Sequence, residues 1–406
     1  MGTRQGWRPP PLRRIIRPMR HALLALLVLA LPAAARAETA YSLGNGAVRL
    51  TPTLQFDADA GSYFGQNRPG GFRPGANLRR GYLGFEASVG EDVTFAFAWD
   101  FGGDPNDHSD LYEAWVGYSG LGIGTLRVGA YEPRHMLEEA SSSRDLLFME
   151  SAAATNLASG LASGDTRLAI GLEANGERWT ASGYVTGGLA SQPNSWGQRG
   201  LVGRVTALLP TPEGLVAQLG VNGAYQFRPG DKSDPQSIAL SDYPELRLSG
   251  RQLLDTDAVR ASNAWAVGPS FSAGLGRFYA QAEYQRIGVE TEESGGRQVQ
   301  AWYLAGAYTL LGRPRRHDAE DGTWKRPTPE ADSAWGAWEL AGRYSAAELR
   351  NGPVLRGGAQ RIWTAGLNWY PTETLAVMLN YQNGILRLDE ENRRFQAIGL
   401  RLSFSL

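Results

Sequence analysis

Residues Phe395 to Leu406 read Phe-Gln-Ala-Ile-Gly-Leu-Arg-Leu-Ser-Phe-Ser-Leu. Ile398, Leu400, Leu402, Phe404 and Leu406 fall on one face of a strand, opposite Ala397, Gly399, Arg401, Ser403 and Ser405. Successive side chains of a strand point to opposite faces, so one face here is wholly apolar and the other small and polar. That division suits a strand with lipid outside and water inside, the pattern of an outer-membrane β-barrel. A soluble antiparallel sheet shows the same alternation, so the rest of the chain has to decide.

Met1 to Arg20 is rich in arginine and proline, and Ala22 to Leu31 is a short apolar run. Ala35-Arg36-Ala37 then forms a small-x-small cleavage pattern before Glu38. Residues 1–37 thus read as a secretory signal peptide, too short and wrongly flanked for a membrane anchor. Met19-Arg20-His21 also supplies a charged start, making Met19 a second candidate initiator. No later stretch approaches the roughly 18 continuous apolar residues of a spanning helix. The exported domain, residues 38–406, is therefore soluble or a barrel. That length is ordinary for one barrel and unusually large for one soluble β domain. Cysteine is absent, so no disulfide framework supports a thin core in an oxidising compartment.

The chain carries 40 basic and 41 acidic residues, and seven of the arginines, with no acid among them, precede Glu38. The exported part keeps 33 basic residues against 41 acidic, near −8 net. An acidic product argues against a nucleic-acid binder. Net charge does not decide ion selectivity, because only the charges lining a constriction set the local field.

From residue 46 onward, strand-like segments alternate with Gly, Pro, Asn and Asp clusters. Val93, Phe95, Phe97, Trp99 and Phe101 alternate with Thr94, Ala96, Ala98 and Asp100. Leu126, Val128 and Ala130 alternate with Arg127, Gly129 and Tyr131, and Trp363, Ala365, Leu367 and Trp369 with Ile362, Thr364, Gly366 and Asn368. Trp369-Tyr370-Pro371 ends its strand with aromatics beside a turn, as an interfacial girdle does.

Connections alternate in size. Short ones lie near Gly90-Glu91-Asp92, Gly120 to Gly124, Asn175-Gly176, Pro210 to Gly214, Gly274-Leu275-Gly276 and Pro371-Thr372-Glu373. Long ones cover 61–77, 102–110, 132–165, 188–198, 227–263, 290–297, 349–358 and 387–392. Counting the strands between them gives about sixteen, in the range where a barrel leaves an aqueous channel. Short turns belong to the periplasmic side and long loops to the outside. The fold expected is all-β, a sixteen-stranded antiparallel transmembrane barrel with both ends periplasmic. Arg313 to Trp335 breaks the rule, since parity puts this long charged connection on the periplasmic side. Either it hangs in solvent or it folds back into the lumen.

Leu78-Arg79-Arg80-Gly81-Tyr82-Leu83-Gly84-Phe85 resembles the early strand of the phosphate-selective porin O and P family. Leu126 to Gly129 followed by Leu137-Glu138-Glu139-Ala140-Ser141-Ser142-Ser143-Arg144 resembles its strand and inward loop. Phe278 to Tyr284, Gly336 to Leu340 and Gly366 to Tyr370 resemble later strands. The resemblance runs in order over nearly all of 38–406. It implies a sixteen-stranded barrel in the bacterial outer membrane, usually trimeric, passing anions through a constriction made by loops folded into the lumen. It also implies that residues 313–335 fold back. The chain departs from the phosphate-binding pattern at Glu139, where a lysine is expected, and at Ser151, which follows Glu150 where that pattern has an arginine. Its fifth loop interleaves Arg228, Arg247 and Arg251 with Asp231, Asp234, Asp242 and Glu245.

Arg80 and Tyr82 share a face with Gly84 and Glu86, opposite Leu83 and Phe85, so they point into water. With Arg127 they would form a basic strip giving an anion successive weak contacts; alternatively Glu86 or Glu113 balances a plain wall charge. The loop from Glu132 to Asp165 carries Arg134, His135, Glu138, Glu139, Arg144, Asp145 and Glu150, and then a small-residue tail. It is the constriction candidate, with Arg247, Arg251 and Lys325 reaching it from other connections; the bland alternative is an extracellular cap. Arginine recognises phosphate or carboxylate through a planar fork, and the interleaved acids point to a mixed-charge constriction. Asp104, Asn106, Asp107 and Asp110 lack the full calcium-loop spacing and suit turns. His108, His135 and His317 are scattered, giving neither a metal site nor a Ser-His-Asp arrangement. No cofactor is expected. The leading reading is a passive porin for small hydrophilic solutes and inorganic anions, set in outer-membrane lipid. A barrel enzyme and a plugged structural barrel are the alternatives.

Overall fold

The computed structural model describes residues 40–44, 46–65, 72, 74–103, 109–248, 250–291, 295–388 and 391–406. The expected cleavage after Ala37, and Asp104 to His108, lie outside these residues.

Sixteen strands form the wall. The first eight are β1 (Val48–Phe64), β2 (Gly75–Val89), β3 (Val93–Asp100), β4 (Asp110–Tyr118), β5 (Thr125–Tyr131), β6 (Arg167–Gly176), β7 (Trp179–Leu189) and β8 (Arg199–Leu208). The rest are β9 (Leu215–Arg228), β10 (Val259–Leu275), β11 (Phe278–Thr291), β12 (Gly295–Leu311), β13 (Ala337–Asn351), β14 (Leu355–Tyr370), β15 (Leu375–Leu388) and β16 (Glu391–Ser405). Each pairs antiparallel with the next. β16 closes on β1, with Gln55 opposite Ser405 and Phe64 opposite Gln396. Closure leaves no long edge exposed, which a hydrocarbon environment requires.

The alternation explains which way each residue faces. Phe85, Phe97, Val128, Leu304, Trp363 and Leu400 stand exposed on the outer wall, where lipid lies. Asp57, Asp59, Arg204, Gln218, Glu339 and Arg401 are buried on the inner wall. Paired aromatics frame the apolar band, as interfacial girdles do. Trp338 and Trp369 lie 5.5 Å apart on the periplasmic side, and Trp302, Tyr344 and Trp363 form a second series at 5.4 and 4.6 Å. The expected turn at Asn175-Gly176 is displaced: both residues still pair with β7, and Glu177-Arg178 makes the turn.

One irregularity aims a charge. Asp57 pairs with Arg80 and Ala58 with Leu78, leaving Arg79 as the extra residue of a β-bulge. A bulge re-aims side chains, and here both arginines face the lumen.

Candidate functional site: a charged lumen

After Tyr131 the chain leaves the wall and returns only at Arg167. The loop between them crosses the lumen because inner-wall side chains satisfy its backbone. The Leu137 N–H donates to Glu283 on β11 at 2.8 Å, and Asn368 on β14 donates to the Leu147 carbonyl at 2.9 Å. The Met149 N–H donates to Asn380 on β15 at 2.9 Å, and Gln55 on β1 donates to the Ser143 hydroxyl at 2.9 Å. The loop contains α1 (Leu137–Ala140) and α2 (Ala153–Ala162). α2 packs on the wall from β8 to β13. Carboxylates cap its N-terminal N–H groups: Glu138 accepts from Ala152 at 2.9 Å and Glu245 from Ala153 at 3.3 Å. Arg343 joins both acids, 2.8 Å from Glu245 and 3.5 Å from Glu138.

Glu150 is the loop's main anchor. It lies 2.9 Å from Arg79, 2.8 Å from Arg401 and 3.4 Å from Arg247. Arg401 also grips Asp59 with two bonds of 2.7 Å, and Arg80 meets Asp57 at 3.0 Å. Burial alone would raise the Glu150 carboxyl, but Arg79, Arg401 and Arg247 override it and hold the group well below its ordinary value. Glu139 has the opposite fate. Burial, with Glu132 nearby, raises its carboxyl well above the ordinary range.

Two further connections fold inward. Residues 229–258 bury Tyr243, Leu246 and Leu254, and Gln382 donates to the Glu245 carbonyl at 2.7 Å. Arg313 pairs with Thr328, so the following segment enters the lumen as a hairpin of Arg316–Asp318 against Thr323–Lys325. Arg204 and Gln218 donate to the Gly322 carbonyl at 2.7 and 2.9 Å. Gly322 has φ +61°, and a Cβ there would stand 2.8 Å from the Thr180 and Thr206 hydroxyls, so the tip accepts only glycine. Trp324 locks the hairpin, donating to Ser272 at 2.9 Å and packing on Tyr279.

The charges still touched by water are of both signs. Arg127 lies over Trp115, 4.1 Å from the ring centre, and 3.4 Å from Glu173. Arg134 pairs with Asp321 and lies 3.9 Å from Glu173. Lys325 stands 3.3 Å from Asp318, 3.8 Å from Asp321 and 4.0 Å from Asp145. Guanidinium groups with no ion pair among the described residues include Arg167 and Arg204, buried and held by backbone carbonyls, and Arg144 and Arg326. The Arg326 guanidinium donates only to uncharged oxygens: the Glu373 carbonyl at 2.6 Å, the Arg144 carbonyl at 3.4 Å and the Ser405 hydroxyl at 3.5 Å.

The model of the phosphate-selective porin O and P family matches residues 51–406. The chain belongs to that family. It is an outer-membrane porin of a bacterium. It is 24% identical to Porin O of Pseudomonas aeruginosa over 345 residues, 75% of this chain and 76% of that one. Its fold is similar to the outer membrane channel DcaP of Acinetobacter baumannii, with TM-score 0.57, 12% identity, and 91% of this chain and 100% of that one covered. It is also similar to an anion-selective porin from Comamonas acidovorans, with TM-score 0.56, 12% identity, and 88% and 100% covered.

Residues singled out from the porin's sequence separate into four groups. Arg127, Arg134, Arg144, Arg247 and Lys325 line the lumen with partial access to water. Arg80 and Tyr82 face inward but are buried rather than open to water: Arg80 is balanced by Asp57 rather than Glu86 or Glu113, and Tyr82 stacks on Tyr112 at 3.9 Å. Glu138 and Glu139 do not face the solute path. Glu138 caps α2, and Glu139 turns into its own loop, accepting from Met136 N–H and the Ser163 hydroxyl at 3.4 Å. Arg251 is exposed in the fifth loop. Arg79, Arg326, Arg343 and Arg401 were not singled out; of these, Arg343, in line with Glu339 and Ser345, and Arg401 sit on recognisable polar faces.

Ser163, His135 and Glu139 do meet, but not as a catalytic relay. Ser163 Oγ lies 3.0 Å from His135 Nδ1 and Glu139 lies 3.7 Å from the same nitrogen, while Nε2 has no partner. A relay needs the nucleophile and the acid on opposite ring nitrogens. Burial, with Arg204 near, lowers the His135 pKa to about 3, so the ring is neutral.

Proposed function

We propose that this porin passes small hydrophilic solutes with a modest preference for anions and has no tight phosphate site. The Arg144 guanidinium, part-exposed in the lumen and facing no carboxylate among the described residues, carries the reading. Arg79, Arg80, Arg127, Arg134, Arg247, Arg315, Arg343 and Arg401 each face a carboxylate, which offsets their field. A phosphate dianion would meet Asp145, Asp318 and Asp321 beside Lys325, where each unit pair at ~4 Å and an effective dielectric of ~20 repels by ~4 kcal/mol before screening. Arg144, a part-exposed spare cation, biases the field without forming a cage. The solute-contacting set is Arg127, Arg134, Arg144, Arg247 and Lys325.

Residues 1–37 are the export signal and 38–406 the barrel, which assembles as a homotrimer; the cleavage pattern and the family support these readings. The protein is a channel rather than an enzyme, in keeping with the family and with the absence of relay geometry around His135. The test is chloride current through single proteins in a planar bilayer during a phosphate titration. Discrete conductance steps that persist through submillimolar phosphate are expected. Block in that range, or no steps at all, would overturn the proposal.

A further inference from the structure

On the outer wall, β10 and β11 keep one register from Val267–Arg286 to Ser270–Glu283, except that Gly268 and Pro269 make no pair. Proline has no N–H to give the ladder. Beside this step the lipid-facing surface opens into a groove of about 410 Å³. Leu219, Phe271, Tyr284, Trp302 and Leu304 wall it, and Ala282 lines it between them. Towards the periplasmic rim, Ala273, Ala280 and Gly306 stand side by side on three strands and continue the low floor. Phe278 and Tyr308, 4.6 Å apart, close that end.

The other end is polar. The Tyr284 hydroxyl donates to Gln300 Oε1 at 3.0 Å. Arg286, directly opposite Gln300, faces outward, exposed, and has no ion pair among the described residues. β11 rises from the short turn at Gly276-Arg277, so Arg286 lies on the extracellular side of the groove. An apolar channel along the wall therefore ends at a lone guanidinium facing the outer leaflet.

We propose that this groove holds an acyl chain of a phosphate-bearing lipid of the outer leaflet, whose phosphate is met by Arg286. The apolar walls match the chain, each buried methylene contributing roughly 0.8 kcal/mol. The guanidinium fork matches the phosphate. A second copy of the barrel would fill the apolar part but leave Arg286 against an apolar face with no counter-charge, which is costly. A lipid anion satisfies both ends.

Native mass spectrometry of the full porin in mild detergent tests this, using diphosphorylated lipid A and its dephosphorylated form as probes. Wild type is expected to hold the phosphorylated probe through delipidation. Arg286→Gln should weaken it by about tenfold, the loss of a charge-assisted hydrogen bond, and leave the dephosphorylated probe unaffected. Ala282→Trp, which fills the groove, should weaken both probes. Single-channel conductance should stay at the wild-type value in both variants, because both positions face outward. Equal retention by wild type and both variants would overturn the proposal. So would loss of the oligomer in Ala282→Trp with lipid retention intact.

Discussion

At the scale of single residues, Glu150 decides where the inward loop sits, because it answers Arg79, Arg247 and Arg401 at once. Breaking a buried pair by removing one partner costs ~3–5 kcal/mol. Glu150→Gln keeps the shape and leaves those guanidinium groups unmatched. It is expected to loosen the loop and shift the reversal potential towards anions; an unchanged reversal potential would place the cluster off the solute path. The pH dependence follows from the depressed carboxyl. Its contribution is fully present above the ordinary value of 4.5 and disappears as pH falls through the lower folded value, so wild type should keep the loop pinned at pH 4.5. Arg79 shows why residue roles were only partly legible. Strict alternation sends it towards lipid, and only the bulge opposite Asp57 and Ala58 turns it inward. Glu139 shows the converse: its place in the loop was legible, but its burial depends on Ser163 and Glu132.

At the scale of elements, the periplasmic hairpin depends on Trp324, which is 4% exposed between Tyr279 and His317. Truncating a buried tryptophan to alanine costs ~3–5 kcal/mol. Trp324→Ala is expected to free the hairpin, exposing the Lys325–Arg326 bond to trypsin and raising single-channel conductance. Continued resistance to trypsin would show that Gly322 and the Arg313–Thr328 pairing suffice to hold it. Sequence left this segment open between solvent and lumen, because its charges suit either place until Arg204, Gln218 and Arg134 are known to lie opposite. α2 was not legible at all. Residues 151–164 read as a small-residue tail, and a helix forms there because Glu138 and Glu245 cap it and the wall packs against it.

At the scale of the whole molecule, the barrel was readable because its signal is local. The period of two and the alternating connection sizes set strand count and direction without any long-range contact. The lumen's charge balance was not, because partners such as Asp59 and Arg401 lie 342 residues apart. Residues 38–406, near −8 net, can therefore still leave a cation, Arg144, without a carboxylate partner among the described residues of the lumen. Arg144 tips this balance, and a reversal potential in asymmetric potassium chloride reads it directly. Since each tenfold in permeability ratio requires ~1.4 kcal/mol, one partly solvated cation should favour chloride over potassium by less than about tenfold. A preference for potassium would contradict this.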